Sequence, residues 1–209
     1  MPLFFQLNIN ASTKLAVWHI VEDENFFFEK VSIQRKITHP HKRLQHLAGR
    51  YLLKYVFPDF PSELIEIAET HKPFLADEAF HFSISHSGDY AAVIVSRDKR
   101  VGIDVEMVSD KVERVKHKFL NAFELLALGD AYTSGNIPLT VLWAAKESVF
   151  KWYGAGEIDF RECIKIPDPV ASPSGKLSCI FLKESEIRVK IFFKIFASSI
   201  CLAWVVTEK

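Results

Sequence analysis

Cysteine is scarce in this chain. Three occur in 209 residues, Cys163, Cys179 and Cys201, an odd number, widely spaced and lying in strand-like runs. That pattern fits buried thiols better than disulfides or metal ligands, and points to a reducing cytoplasm. No Gly/Ser-rich or Pro-rich tract separates two modules, and no internal repeat is visible. Neither charge prevails, with 26 Lys+Arg against 26 Asp+Glu, so general nucleic-acid binding and attraction to an anionic membrane are not indicated. The longest apolar stretch, residues 195–206, contains two serines and falls short of the ~20 residues that span a bilayer. The start lacks a basic region followed by an apolar run and a small-residue cleavage site, so no secretion signal is expected.

What is present is core-forming mass. Eighteen Phe and four Trp, with 49% hydrophobic and 25% charged residues, are too much for a disordered tail and suit one large domain or two small ones. Residues 15–21 read as a strand. Leu44, Leu47, Ala48, Tyr51, Leu52 and Tyr55 recur at helical spacing, predicting a helix over 41–57 that Pro58 and Pro61 stop. Strands are expected at 64–68, 79–85 and 90–96, with Ser87, Gly88 and Asp89 as a turn, and at 101–107. Helices follow at 116–128 and 138–153, the second ended by Gly154 and Gly156. Strand-like runs at 158–166, 177–182 and 187–206, broken near Ser198 and Ser199, close the chain. The fold class is therefore α+β. Two similar halves, each with helices on a small, mostly antiparallel sheet, are expected at 1–98 and 99–209.

Three motifs carry chemistry. In Val101-Gly102-Ile103-Asp104-Val105-Glu106, strand alternation sends Asp104 and Glu106 to one face, about 7 Å apart along the backbone and able to share a hard cation. Asp104 is expected to be solvated there, its loss costing little stability. In Trp143-Ala144-Ala145-Lys146-Glu147-Ser148-Val149-Phe150-Lys151, Glu147 and Lys151 stand one helical turn apart and can pair. Phe82-Ser83-Ile84-Ser85-His86-Ser87-Gly88 puts Phe82, Ile84 and His86 on one side of a strand and Ser83 and Ser85 on the other. The glycine turn after it exposes N–H groups suited, with Ser85 and His86, to phosphate oxygens. A nucleophilic Ser–His pair is disfavoured, because no Gly-x-Ser-x-Gly turn and no acidic partner for His86 are evident. Lys42, Arg43, Arg50 and Lys72 supply cations. Histidine spacing gives no zinc site.

Taken in order, Ser-Ile-Ser-His-Ser-Gly, Gly-Ile-Asp-Val-Glu and Trp-Ala-Ala-Lys-Glu-Ser-Val-Phe-Lys resemble the surfactin-type 4′-phosphopantetheinyl transferases. Gly49-Arg50 and His71-Lys72-Pro73-Phe74 extend the likeness upstream, so that roughly half the chain is covered. The resemblance implies a pseudo-dimer of two α+β halves with coenzyme A and Mg²⁺, or Mn²⁺, in the cleft between them. It implies that Asp104, Glu106 and Glu147 are metal carboxylates and that Lys151 meets the pyrophosphate. Arg43, Arg50, Lys72, Ser85 and His86 would hold the nucleotide and its 3′-phosphate. One departure is Gln45, which stands where relatives place a coenzyme-binding arginine.

The activity so implied is transfer of 4′-phosphopantetheine from coenzyme A to a serine of an apo acyl or peptidyl carrier protein, leaving adenosine 3′,5′-bisphosphate. Glu147 is the first candidate base and Glu106 the second. The alternatives are a non-catalytic coenzyme A or nucleotide-binding module and a metal-dependent phosphohydrolase. A cytoplasmic monomer is expected, with neither nucleic acid nor membrane as partner. The carrier is expected to dock on residues 111–120, where Lys111, Arg114, Lys116 and Lys118 outnumber Asp110 and Glu113 and lead into Phe119 and Leu120. Those two residues serve either as its apolar anchor or as core.

Overall fold

The computed structural model describes residues 2–32, 37–129, 136–168, 170 and 172–208. The chain divides into two compact units, residues 1–101 with 208–209, and residues 102–207.

In the first unit, β1 (Leu3–Asn8), β2 (Thr13–His19), α1 (Glu24–Phe28) and α2 (Pro40–Val56) precede the two-residue strands β3 (Glu66–Ile67) and β4 (Pro73–Phe74). The paired strands β5 (His81–Ser87) and β6 (Tyr90–Ser96) follow. The sheet runs β1-β2-β6-β5, antiparallel at every junction. Helix α2 begins at Pro40, whose missing N–H costs nothing at a helix start, and His39 accepts from the Lys42 amide. Its buried stripe, with Leu47, Ala48, Leu52, Leu53 and Val56, packs on β2 and β6. Gly49 is required by close approach. A Cβ there would stand 2.9 Å from the Ile84 side chain.

The second unit takes most of β7 (Arg100–Met107), then α3 (Lys111–Val115), α4 (Ala122–Leu128), α5 (Ile137–Tyr153), α6 (Phe160–Cys163), β8 (Ile164–Lys165), β9 (Ser174–Leu182), β10 (Glu186–Phe196) and β11 (Ile200–Thr207). Its sheet order is β7-β11-β10-β9-β8, antiparallel from β11 to β8. Helix α5 lies on β10 and β11 and ends where Gly154 adopts φ 75°, a left-handed cap that glycine takes without a Cβ penalty. Gly102 has a sharper reason to be glycine. A Cβ on it would fall 2.1 Å from the Ser148 carbonyl oxygen and 2.6 Å from the Trp152 nitrogen, so β7 and α5 touch backbone to backbone.

The α+β class, with antiparallel sheets and helices, is as expected. Several elements differ from the sequence reading. Helix 116–128 is broken: Lys116–Lys118 is a single 3₁₀ turn, Phe119 and Leu120 are buried, and α4 starts afresh because Asn121 and Glu124 form a reciprocal capping box. The run at 158–166 opens as α6, since Asp159 caps it by accepting from the Arg161 amide. Strand β1 and helix α1 were not anticipated. The break in 187–206 is a tight β10–β11 turn, with Ala197 and Ser198 at φ 46° and 54°. Cys179 and Cys201 are buried free thiols and Cys163 is partly buried. No helix among the described residues is long and apolar enough to cross a membrane.

Candidate functional site

The carboxylates named above converge within the second unit. Asp104 and Glu106 sit on β7, and Glu147 and Lys151 on α5, whose backbone the glycine at 102 allows to approach. Lys151 Nζ donates to Asp104 Oδ1 at 2.6 Å. Asp104 is only 2% exposed, so the expected solvated strand face is wrong at this position: α5 covers it, and Lys151 supplies the charge that burial demands. The sequence reading paired Lys151 with Glu147; the structure gives its ammonium to Asp104 first. Glu147 is drawn into the same field. Its carboxyl is pushed up to about 7, chiefly by burial, then by the Asp104 charge, with Lys151 opposing and Glu106 adding to the rise.

Trp143 was passed over in the sequence and belongs to this cluster. Its indole Nε1 donates to Glu106 Oε1 at 3.2 Å, and its ring meets Phe119 edge-on at 5.0 Å. The signal was its place four residues before Glu147, one turn along the same helix. Cys201 feels the cluster too: burial raises its thiol pKa, and Asp104 and Glu106 push in the same direction.

Among the described residues no three His, Cys, Asp or Glu side chains are placed as a group that could hold a metal ion. The donor chemistry nonetheless fits a hard divalent cation. Glu147 is raised chiefly by burial, with the Asp104 and Glu106 charges adding to the rise, and one lysine offsets only part of the negative charge gathered there.

In the first unit, Arg50 and His86 line a cavity of about 340 Å³ with His46, Ser62, Ile84 and Pro73. His46 stands one turn before Arg50 on α2, a spacing visible in the sequence, and its ring lies 5.6 Å from that of His86. Arg50 Nη1 donates to the Ser62 carbonyl at 3.3 Å, and burial lowers its pKa. Glu63 also lines this space, with Lys54 3.5 Å away. Lys72 precedes Pro73 in the β3–β4 turn; burial, then Arg100, pull it down to about 8. Ser85 is buried and, as alternation requires, is not in the lining that Ile84 and His86 share. Arg43 is engaged elsewhere: its Nε donates to Glu24 at 2.9 Å and its Nη1 to the Ile37 carbonyl at 2.9 Å. Gln45 is buried and donates to the Gly88 carbonyl at 2.7 Å, bracing the turn after β5.

Residues 100–202, from the strand bearing Asp104 and Glu106 almost to the end of the second unit, match the family described as the 4′-phosphopantetheinyl transferase superfamily. This stretch is a 4′-phosphopantetheinyl transferase superfamily domain. Enterobactin synthase component D of Escherichia coli (strain K12) is 30% identical over 113 residues, 53% of this chain and 54% of that protein. The 4′-phosphopantetheinyl transferase AcpT of Escherichia coli O157:H7 is 38% identical over 68 residues, 32% of this chain and 34% of the relative. The L-aminoadipate-semialdehyde dehydrogenase-phosphopantetheinyl transferase of Xenopus laevis is 34% identical over 70 residues, 28% of this chain and 23% of the relative. The chain thus spans about half the length of the first of these relatives and less of the other two. The transferase superfamily domain contains all three carboxylates, Trp143 and Lys151, whereas the cavity of Arg50 and His86 lies before it.

Proposed function

We propose that this protein is a divalent-cation-dependent 4′-phosphopantetheinyl transferase of the surfactin type. It moves the phosphopantetheine arm of coenzyme A to a serine of an apo acyl or peptidyl carrier protein in the cytoplasm. The observation that carries the reading is the buried Asp104–Lys151 pair with Glu106 and Glu147 in its field, on a superfamily domain whose relatives are named for this reaction.

Asp104, Glu106 and Glu147 would hold the cation, Mg²⁺ or Mn²⁺, which when bound supplies positive charge for the pyrophosphate oxygens. Lys151, already anchored beside Asp104, presents its ammonium to the same oxygens as charge builds on the bridge. The serine oxygen forms a bond to the β-phosphorus while the bond from that phosphorus to the bridging oxygen breaks. The leaving group is adenosine 3′,5′-bisphosphate. Glu147 takes the serine proton directly or through a water, and Glu106 is the second candidate. Arg50, Lys72, Ser85 and His86 are assigned to the nucleotide and its 3′-phosphate. Arg43 is left out because Glu24 and Ile37 already engage its guanidinium.

The test is incubation with coenzyme A, Mg²⁺ and apo acyl and peptidyl carrier proteins, followed by intact-mass analysis. A carrier gaining one phosphopantetheine supports the reading. Release of phosphopantetheine to water would make the protein a hydrolase, and unchanged coenzyme A beside unmodified carriers would make it a binding module.

A further inference from the structure

The two walls of the first unit's cavity come from different elements. His46 and Arg50 stand on α2, and Ile84 and His86 on β5, so the width of the space depends on how the helix sits on the β5–β6 hairpin. Three residues of α2, each one turn from the next, set that seat: His41, Gln45 and Gly49. They meet the hairpin in order from its turn into its strand. His41 Nε2 lies 3.0 Å from Asp89 Oδ1, Gln45 Nε2 donates to the Gly88 carbonyl at 2.7 Å, and Gly49 leaves room for the Ile84 side chain.

The three contacts differ in strength. The His41–Asp89 contact is exposed on both sides, where such pairs contribute little, and Gly49 supplies only space. Gln45 is 2% exposed and gives the one buried hydrogen bond of the set. Its neighbour in sequence, His46, then places its ring 5.6 Å from that of His86, two residues before Gly88.

Two observations separate this bond from ordinary packing. Gln45 Oε1 is buried and has no hydrogen-bond partner among the described residues, and an unmet buried acceptor destabilises a fold. An apolar side chain of the same length would fill the space without that penalty. The turn, for its part, has little need of the bond. Gly88 is half-buried and takes its φ of 53° as glycine does freely, and Ser87 opposite Tyr90 already fixes the register of the hairpin. The glutamine therefore costs stability where it sits, and what it secures is the placement of one cavity wall against the other. Gln45 itself is not in the cavity lining.

We propose that Gln45 is a positioning residue for the 3′-phosphate of coenzyme A. Its amide ties the end of β5 to α2, so that His86 faces the phosphate together with His46 and Arg50, while Gln45 touches no part of the nucleotide. This rests on the assignment of Arg50 and His86 to the 3′-phosphate under the transferase reading above.

The test uses the full chain carrying Gln45→Met, which keeps the length of the side chain and removes its donor. The melting temperature is expected to hold or rise, because the unmet oxygen leaves with the donor and water can reach the Gly88 carbonyl. By calorimetry, the Kd for coenzyme A should rise roughly tenfold, while that for dephospho-coenzyme A, which lacks the 3′-phosphate, should change less than about twofold. With an apo carrier protein, KM for coenzyme A should rise alike and kcat should hold, since the carboxylates of the second unit are untouched. The proposal is overturned if the Kd for coenzyme A does not move, or if it rises equally for both ligands. It is also overturned if the variant unfolds or melts several degrees lower, for Gln45 would then be a packing residue. A wild-type protein that binds coenzyme A and modifies no carrier sinks the transferase reading, while weaker coenzyme A binding by the variant alone still supports the positioning role.

Discussion

Lys151 Nζ stands 2.6 Å from Asp104 Oδ1, and the two ends of that bond differ in burial: the Asp104 side chain is 3% exposed and that of Lys151 26%. The carboxylate is committed to the interior while the ammonium keeps a face toward solvent, where a phosphate can reach it. Asp104→Asn should preserve the shape, lower transfer by at least roughly a hundredfold, and let the Glu147 carboxyl titrate lower, because the Asp104 charge is one of the causes of its rise. Carboxyl-carbon NMR of the metal-free protein reads that shift. Glu147 titrating as in wild type would show that the two carboxylates are not coupled.

Glu147 also sets a stability trend. Its folded-state carboxyl lies at about 7 against an ordinary 4.5, so between these values the folded chain holds more proton than the unfolded one. Its contribution is fully present below about pH 4.5 and is lost as pH rises toward 7. Urea denaturation without metal should show wild type losing stability across that window, with Glu147→Gln losing less. Parallel curves for the two proteins would refute the assignment.

If Lys72 meets a phosphate of coenzyme A, as proposed above, binding should carry a pH dependence from its ammonium. Pulled down to about 8, it loses its charge as pH rises past that point, and with it the attraction for phosphate. Affinity measured by calorimetry should fall through that range in wild type and much less in Lys72→Arg. Equal slopes would place Lys72 outside the nucleotide contact.

Gly102→Ala forces a methyl against the Ser148 carbonyl and the Trp152 amide, both backbone atoms that cannot swing aside. A cost of about 1–3 kcal/mol is expected, read as a lower melting temperature. The same change should weaken cation binding, since β7 and α5 carry the carboxylates between them. An unchanged melting temperature would mean that the two backbones separate easily.

Trp143→Phe keeps the ring against Phe119 and removes the only donor that the indole gives to Glu106. If that bond orients Glu106 toward a cation, the Kd for Mn²⁺ should rise about tenfold with the melting temperature preserved. Unaltered Mn²⁺ affinity would leave Trp143 a packing residue.

Much of this arrangement is written locally. Alternation in Val101-Gly102-Ile103-Asp104-Val105-Glu106 set two acids on one strand face, and the spacing of Glu147 and Lys151 set two charges on one helix face, because strand and helix periods depend only on the backbone. The α5 boundaries followed from Pro138 and Gly154 for the same reason, and the β10–β11 break from the serine pair at its turn. The broken helix at 116–128 was legible in principle, in the Asn121-x-x-Glu124 box, but apolar periodicity concealed it.

Which partner each charge takes was decided only by the tertiary structure. Lys146 looked like any helix lysine until α4, α6 and the Phe119 turn closed on it, and Arg43 looked available for phosphate until Glu24 met it. Asp104 was assumed solvated until α5 packed over β7. Periodicity tells which way a side chain leaves its own element, but burial and ion pairing depend on what packs against that element from a distance in sequence. An electrostatic energy that changes with both separation and solvent exclusion is therefore determined only when the elements have met.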